Sequence, residues 1–329
     1  MNVLSLFDGI SCGYEAFNRA GIKVANYYAC EIEKHATTIS NKRHQGIHRP
    51  VNDVRELRKD TLPQIDFLVG GSPCQDLSIA KKDRKGLEGD RSSLFWEYVR
   101  LKNELKPKYF ILENVASMPK EAKDIITKEM GVEPIMFNAA LVSAQSRKRL
   151  FWTNIKFDLP VDRGILLKHI LQPDAEVDER MVVKGKAYCL TAKYTGANTT
   201  EKGVEYSIKK GQRTMVALAK PKEHEFKQIG YFGAENACKV SGQALRVYDT
   251  DAKSTTSGIE LYQVGNIRKL TPVECERLQG LPDGYTEGVA NTNRYKVLGN
   301  AFNVDVIAHI LKAICPFCEQ DDMRCAEPH

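Results

Sequence analysis

Ile65-Asp66-Phe67-Leu68-Val69-Gly70-Gly71-Ser72-Pro73-Cys74-Gln75-Asp76-Leu77-Ser78 is the stretch on which the fold turns. An apolar run of strand length leads into two glycines, a serine and a proline, the pattern of a buried strand broken at its carboxyl end. Ligands of open α/β sheets sit in the crevice beyond those carboxyl ends. A cysteine delivered there is either a nucleophile or, like most free cysteines, a small buried apolar residue.

The same grammar repeats on both sides of this stretch. Residues 3–7 form a strand, Asp8-Gly9-Ile10-Ser11-Cys12-Gly13 a glycine-bearing turn, and residues 14–19 a helix closed by Gly21. Such a turn lets backbone approach a ligand closely. A strand over 24–29 ends at Glu31, and an acid roughly 20 residues after a glycine turn suits a ribose diol, or merely starts a helix. A helix follows over 35–44. Asp53 either accepts from an adenine amino group or caps a turn. Beyond Cys74, residues 79–91 are polar and basic, and Ser92 caps a helix over 93–105. A strand over 109–112 closes at Glu113-Asn114-Val115, a helix spans 119–130, and 134–144 is an extended apolar run. Gln145-Ser146-Arg147-Lys148-Arg149 then precedes Leu150-Phe151-Trp152, with two arginines pointing the same way, a pair suited to phosphate or carbonyl oxygens.

Alternating strands and helices predict a doubly wound, Rossmann-like parallel sheet with helices on both faces. From about residue 157 helical periodicity fades, and the chain reads as a small, irregular, β-rich lobe. Helical grammar returns at Leu270, where Thr271 caps a helix over 272–279 and a last helix covers 303–314. The expected organisation is a main α/β domain over 1–156 and 266–315, an irregular lobe over 157–265, and a tail over 316–329. Cys315-Pro316-Phe317-Cys318, Cys325 and His329 match no familiar zinc spacing, so no metal is expected.

The chain has 329 residues, is 42% hydrophobic and 27% charged, and carries a net charge of +6. No apolar stretch is long enough to span a bilayer, and no signal peptide is visible at the start. Nine cysteines, an odd number, point to reduced thiols and a cytoplasmic setting. Basic clusters at Lys81-Lys82-Asp83-Arg84-Lys85 and Arg147-Lys148-Arg149 flank candidate catalytic segments and favour a polyanion such as nucleic acid.

In order, the chain presents a glycine turn, Glu31, Asp53, Pro73-Cys74, Glu113-Asn114-Val115, Gln145-x-Arg147-x-Arg149, the lobe, Arg268-x-Leu270-Thr271 with Glu274, Arg277-Leu278-Gln279-Gly280, and Gly299-Asn300. This series resembles the DNA (cytosine-5)-methyltransferase family over the chain up to about Ile314. The core looks similar to the mammalian de novo enzymes, and the lack of a long regulatory extension is similar to bacterial or phage members. Ser11 departs from the pattern, standing where many members have glycine.

The resemblance implies S-adenosylmethionine as methyl donor and carbon 5 of cytosine in double-stranded DNA as acceptor. It assigns the cofactor to Phe7, Gly9, Gly13, Glu31, Ile32, Asp53, Val54, Pro73 and Asn300. Cys74 would be the nucleophile, Glu113 its partner at the base, and Arg147 and Arg149 would hold the base and order the site. Ser78, Lys82, Arg84, Gln243, Arg246 and Thr256 would meet DNA, with Lys82 and Arg84 on a lid and Gln243 filling the gap left by a flipped base. A monomer is expected. A cognate restriction endonuclease, as in restriction-modification, is compatible with the resemblance but not implied by the sequence.

The chemistry fits these residue types. Carbon 5 is a poor nucleophile until a thiolate adds at carbon 6, and covalent catalysis splits one hard step into two easier ones. A free thiol has a pKa of about 8.5, so Arg149 and nearby amides are expected to favour the thiolate. A protonated Glu113 donating to ring nitrogen 3, and an arginine on the ring oxygen, would stabilise the adduct. The target atom is unreachable inside a duplex, so the base must be flipped out. The alternative is a tRNA cytosine-5 methyltransferase on the same scaffold. A nicotinamide dehydrogenase fits less well, because Gly9-x-x-x-Gly13 is not the dinucleotide fingerprint.

Overall fold

A computed structural model of the chain describes residues 1–72, 94–218 and 267–314. Its centre is a seven-stranded sheet in the order β3-β2-β1-β4-β5-β7-β6. The strands are β1 (Asn2–Leu6), β2 (Asn26–Cys30), β3 (Ile47–His48), β4 (Phe67–Gly70), β5 (Tyr109–Val115), β6 (Ile135–Asn138) and β7 (Lys148–Thr153). β1 pairs in parallel with both β2 and β4, β4 in parallel with β5, and β7 runs antiparallel between β5 and β6.

β1 and β4 are near-continuous apolar runs because both of their faces are covered. Val3, Phe67, Val69 and Ile111 face one layer, which holds Phe17 of helix α1 (Cys12–Arg19) and Ile307 and Leu311 of helix α8 (Val304–Lys312). Leu4, Leu6, Leu68 and Leu112 face the other, with Phe95, Tyr98 and Leu101 of α3 (Leu94–Leu105) and Ala122 and Ile126 of α4 (Lys120–Met130). Successive strand residues point to opposite faces, so one strand feeds both layers. Trp152 is fully buried in the second layer, with its indole nitrogen donating to Thr127 Oγ1 at 3.0 Å. Burying a large apolar side chain of this kind is worth roughly 1.5–3 kcal/mol.

The strand order reverses between β1 and β4. That reversal opens a crevice at their carboxyl ends, into which the loops after β1, β2, β4 and β5 project.

The remaining elements differ in part from the sequence reading. The apolar run over 134–144 is strand only to Asn138, whose side-chain oxygen accepts from the amides of Ala140 at 3.1 Å and Arg147 at 2.9 Å and turns the chain back into β7. The lobe carries short strands β8 (Ala175–Val177), β9 (Val182–Val183), β10 (Lys186–Ala187) and β11 (Met215–Leu218), and β11 pairs with β8 and with β12 (Ile267–Lys269). It also contains a helix, α5 (Glu201–Lys210), where loops and short strands were expected. Thr200 Oγ1 accepts from the Gly203 amide at its start, and Gly211 ends it in left-handed backbone at φ 57°. Helix α6 (Pro272–Leu278) is capped by Thr271 as expected, with Glu274 closing the reciprocal bond.

Helix α7 (Asn291–Asn300) was not legible in the sequence: six polar and aromatic residues precede Val297-Leu298-Gly299, the part that is buried. Lobe residues Ile170, Leu190, Tyr194 and Val216 join the core layer of α1 and α8, so this part of the lobe is packed onto the sheet. No helix among the described residues is long and apolar enough to cross a membrane.

Candidate active site

The first wall of the crevice is the turn after β1. Phe7, Gly9 and Ser11 all take positive φ, at 57°, 60° and 62°. For a residue with a side chain this conformation costs roughly 1–2 kcal/mol, so something must hold the turn. Asp8 is 4% exposed; it accepts from Ser11 Oγ at 2.5 Å and from the Tyr27 hydroxyl at 3.0 Å. The Arg49 guanidinium lies 3.6 Å from Asp8 Oδ2. Burial pushes the Asp8 carboxyl above its ordinary range, against the lowering effect of these partners. Gly13 lies in the first turn of α1, where a Cβ would come 2.7 Å from the Tyr27 hydroxyl. It therefore serves the packing behind the turn and does not line the crevice.

Glu31 follows β2 directly. Its Oε2 accepts from the Gly9 amide at 2.8 Å and its Oε1 from the Glu33 amide at 2.7 Å, which aims the carboxylate and joins the β1 and β2 loops. Burial raises its pKa, and the two amides partly offset that rise. Each oxygen keeps a lone pair for a further donor. Asp53 both caps a 3-10 turn, Val54–Glu56, and lines the crevice. Its carboxylate is held by Arg55 at 2.6 Å, which keeps its pKa below the ordinary value. Phe7, Ile32, Asp53, Val54 and Asn300 line one cavity of about 240 Å³ together with Gly71, Glu113, Arg147 and Arg149. Ile32 is 65% exposed, an apolar side chain left open at the rim.

At the other end of this cavity, β5 carries Glu113 opposite Phe151 of β7. Glu113 Oε1 is 2.7 Å from Arg149 Nε, and both side chains are largely shielded from solvent. Gly71 passes under them: a Cβ there would lie 3.0 Å from Glu113 Oε2 and 2.7 Å from the Phe302 ring. Gly71 and Ser72 thus bring the chain along the cavity wall immediately before Pro73-Cys74.

Arg147 has a different environment from Arg149. It is 3% exposed, and its guanidinium donates to the carbonyls of Leu190 at 2.8 Å, Gly299 at 3.2 Å and Ala301 at 2.9 Å. Burial, then the neighbouring Arg149, lowers its pKa. It clamps the lobe segment around Leu190 to the end of α7 that carries Asn300. Gly299 permits that approach, since a Cβ would meet the Thr191 backbone at 2.1 Å. Cys189 lies between the two arginines, 3.5 Å from Arg147 Nη1 and 3.9 Å from Arg149 Nη2. Burial raises its thiol pKa, but the two guanidiniums outweigh that and leave it below the ordinary value.

The structure therefore brings together Phe7, Gly9, Glu31, Ile32, Asp53, Val54, Glu113, Arg147, Arg149 and Asn300 around one cavity. Pro73, Cys74, Ser78, Lys82, Arg84, Gln243, Arg246 and Thr256 lie outside the described residues, as do the tail cysteines. Sequence reading missed Arg55, Cys189 and Phe302. Arg55, two residues from Asp53, was the one within reach of a local rule, because an Asp side chain commonly bonds its own backbone two residues on.

Strand order, an acid after the second strand and a cavity at the topological switch define a protein of the doubly wound nucleoside-binding class. More narrowly, the chain belongs to the C-5 cytosine-specific DNA methylase family, whose sequence model matches residues 1–315. Among characterised relatives, it is 27% identical to the type II methyltransferase M.HhaI of Haemophilus parahaemolyticus, over 94% of this chain and 93% of that protein. It is 25% identical to the orphan methyltransferase M.SPRI of Bacillus phage SPR, over 95% of this chain and 97% of the other. The fold is similar to that of S. pombe Dnmt2 methyltransferase, with TM-score 0.60 and 17% identity over 94% of this chain and 97% of that one. It is also similar to a putative DNA modification methyltransferase encoded within an E. coli prophage, with TM-score 0.57 and 20% identity over 95% of this chain and 98% of that one. The protein is thus a cytosine-5 methyltransferase by family, of a kind that uses S-adenosylmethionine, and type II relatives fit a restriction-modification setting.

Proposed function

We propose that this enzyme methylates carbon 5 of cytosine within a specific double-stranded DNA sequence, by attack of Cys74 on a flipped-out base. The observation that carries the reading is the single cavity with Glu31 and Asp53 at one end and the Glu113–Arg149 pair at the other. A nucleoside-bearing donor and a pyrimidine acceptor then meet in one enclosed space.

The residues present suit S-adenosylmethionine. Glu31 keeps lone pairs for the ribose hydroxyls, and Asp53 accepts from the adenine amino group. Phe7, Ile32 and Val54 supply apolar contact for the ring, Gly9, Pro73 and Asn300 complete the pocket, and Gly13 supports the turn from behind. When bound, the cofactor supplies an electrophilic methyl on a sulfonium. The rest of the chemistry belongs to the chain. Cys74 Sγ adds to carbon 6, forming a carbon–sulfur bond and leaving carbon 5 nucleophilic. Glu113, protonated when the base is bound, donates to ring nitrogen 3 and recovers that proton when Cys74 leaves, while Arg149 holds Glu113 in place and meets the ring oxygen. Arg147 orders the floor beneath them. Once carbon 5 carries the methyl, it loses its proton to water and the carbon–sulfur bond breaks, which frees Cys74.

Residues 1–156 and 266–315 form the catalytic domain, 157–265 the target-recognition lobe, and 316–329 a tail. Ser78, Lys82, Arg84, Gln243, Arg246 and Thr256 are the residues that contact DNA. The enzyme acts as a monomer in the cytoplasm. The test is transfer of labelled methyl to duplex DNA and to tRNA, with Cys74→Ser alongside wild type, and bisulfite sequencing of DNA from expressing cells. One sequence context methylated, with Cys74→Ser inactive, is the expected outcome. Methyl transfer to tRNA alone, or undiminished activity of Cys74→Ser, overturns the reading.

A further inference from the structure

We infer that Ser40, buried on helix α2 (Lys34–Arg43) and outside the cavity, is a positioning residue for the cofactor turn, relaying the Arg49 guanidinium to Ser11 and Asp8. The inference rests on the proposed cofactor reading of that turn.

Proton counting fixes the direction of the relay. Arg49 Nη2 lies 2.6 Å from Ser40 Oγ, Ser40 Oγ lies 2.5 Å from Ser11 Oγ, and Ser11 Oγ lies 2.5 Å from Asp8 Oδ2. A guanidinium only donates, and each hydroxyl has one proton. Ser40 therefore accepts from Arg49 and gives its proton to Ser11, which gives its own to the carboxylate. Every hydroxyl along this path accepts once and donates once, the arrangement in which hydrogen bonds polarise one another. Arg49 is itself held by Asn41 Oδ1, 3.0 Å from its Nε, and the other Asp8 oxygen by the Tyr27 hydroxyl at 3.0 Å.

The relay has a structural purpose because Ser11 is left-handed at φ 62° without being glycine. Ser40 and Ser11 are both fully buried, so no water replaces either hydroxyl without rearrangement. The turn they hold presents the Gly9 amide to Glu31 at 2.8 Å, and Glu31 is the group proposed to meet the ribose. Loss of the Ser40 hydroxyl leaves Ser11 Oγ with no donor and Arg49 Nη2 without its nearest acceptor, and the turn drifts from the geometry that aims Glu31. A glycine at position 11 takes the same backbone without strain and has no hydroxyl to satisfy.

The experiment is a cycle of Ser40→Ala, Ser11→Gly and the double variant. It reads S-adenosylhomocysteine affinity by calorimetry and KM and kcat on duplex DNA. Ser40→Ala is expected to raise the KM for S-adenosylmethionine and the product's Kd about 5- to 20-fold, with kcat within about twofold. In the Ser11→Gly background, the same Ser40→Ala change is expected to cost less than about twofold. Unchanged affinity in Ser40→Ala, or an equal loss in both backgrounds, overturns the relay, since general loosening of α2 is not cured by glycine at position 11. Absence of binding by the wild type overturns the cofactor reading itself and the inference with it.

Discussion

Replacing Arg147 by Met tests whether this arginine acts as a clamp. The side chain ties three carbonyls, those of Leu190, Gly299 and Ala301, at 2.8, 3.2 and 2.9 Å. Met fills similar space and supplies no donor. A buried acceptor left without a partner costs about 1–3 kcal/mol. Against three such losses stands the recovered cost of burying a charge, which for buried ionic groups is comparable in size. The net expectation is a loss of about 2–4 kcal/mol, which corresponds to a fall of about 1 M in the urea midpoint. The loss should be accompanied by weaker cofactor binding, because Asn300 lies between two of the clamped carbonyls. An increase of about tenfold in the Kd of S-adenosylhomocysteine is expected, equivalent to about 1.4 kcal/mol. Urea unfolding followed by tryptophan fluorescence reads the first quantity, and calorimetry the second. A midpoint within about 0.2 M of wild type together with unchanged affinity would refute the clamp and return Arg147 to direct work on the base.

Gly71→Ala places a methyl 2.7 Å from the Phe302 ring and 3.0 Å from Glu113 Oε2. It is expected to lower kcat about 10- to 100-fold while leaving cofactor affinity within about threefold, as read by methyl transfer, because small displacements of a reacting group are costly. Arg268→Ala removes the bidentate partner of the fully buried Glu274 and the link to Asp174, at 2.8 to 3.1 Å. It should destabilise the enzyme by about 3 kcal/mol in urea unfolding, with Glu274→Gln in the same background restoring part of the loss. His44 is pushed down to about 4 by burial and then by Arg43, despite Glu15 Oε1 at 3.3 Å from its Nε2. The unfolded chain, with an ordinary histidine near 6.5, therefore binds more protons between about pH 6.5 and 4, and stability falls as pH drops through that window. Relative to His44→Gln, wild type should lose up to about 3 kcal/mol across that window; parallel pH–stability curves for the two proteins would rule the effect out.

Much of the architecture was written locally. Continuous apolar runs such as 65–69, glycine-broken strand ends and the Thr271–Glu274 capping box are short-range patterns, and the order of site motifs along the chain marked the methyltransferase family. Helices α5 and α7 escaped because each turns only about two aliphatic residues to the core, Val204 and Ile208 in one and Val297 and Leu298 in the other, too few to set a period. The roles of individual polar groups were decided only by tertiary structure. Arg147 and Arg149 are two residues apart and look equivalent in sequence. One spends its donors on carbonyls, including Gly299 O, 152 residues away, whereas the other faces Glu113 across neighbouring strands. Ser11 looked like a weak spot in the turn until Ser40 and Arg49 were found behind it. The reason is physical. A local pattern records which face of an element is buried, but a buried donor or acceptor must be paired, and its partner is supplied by whichever remote segment packs there.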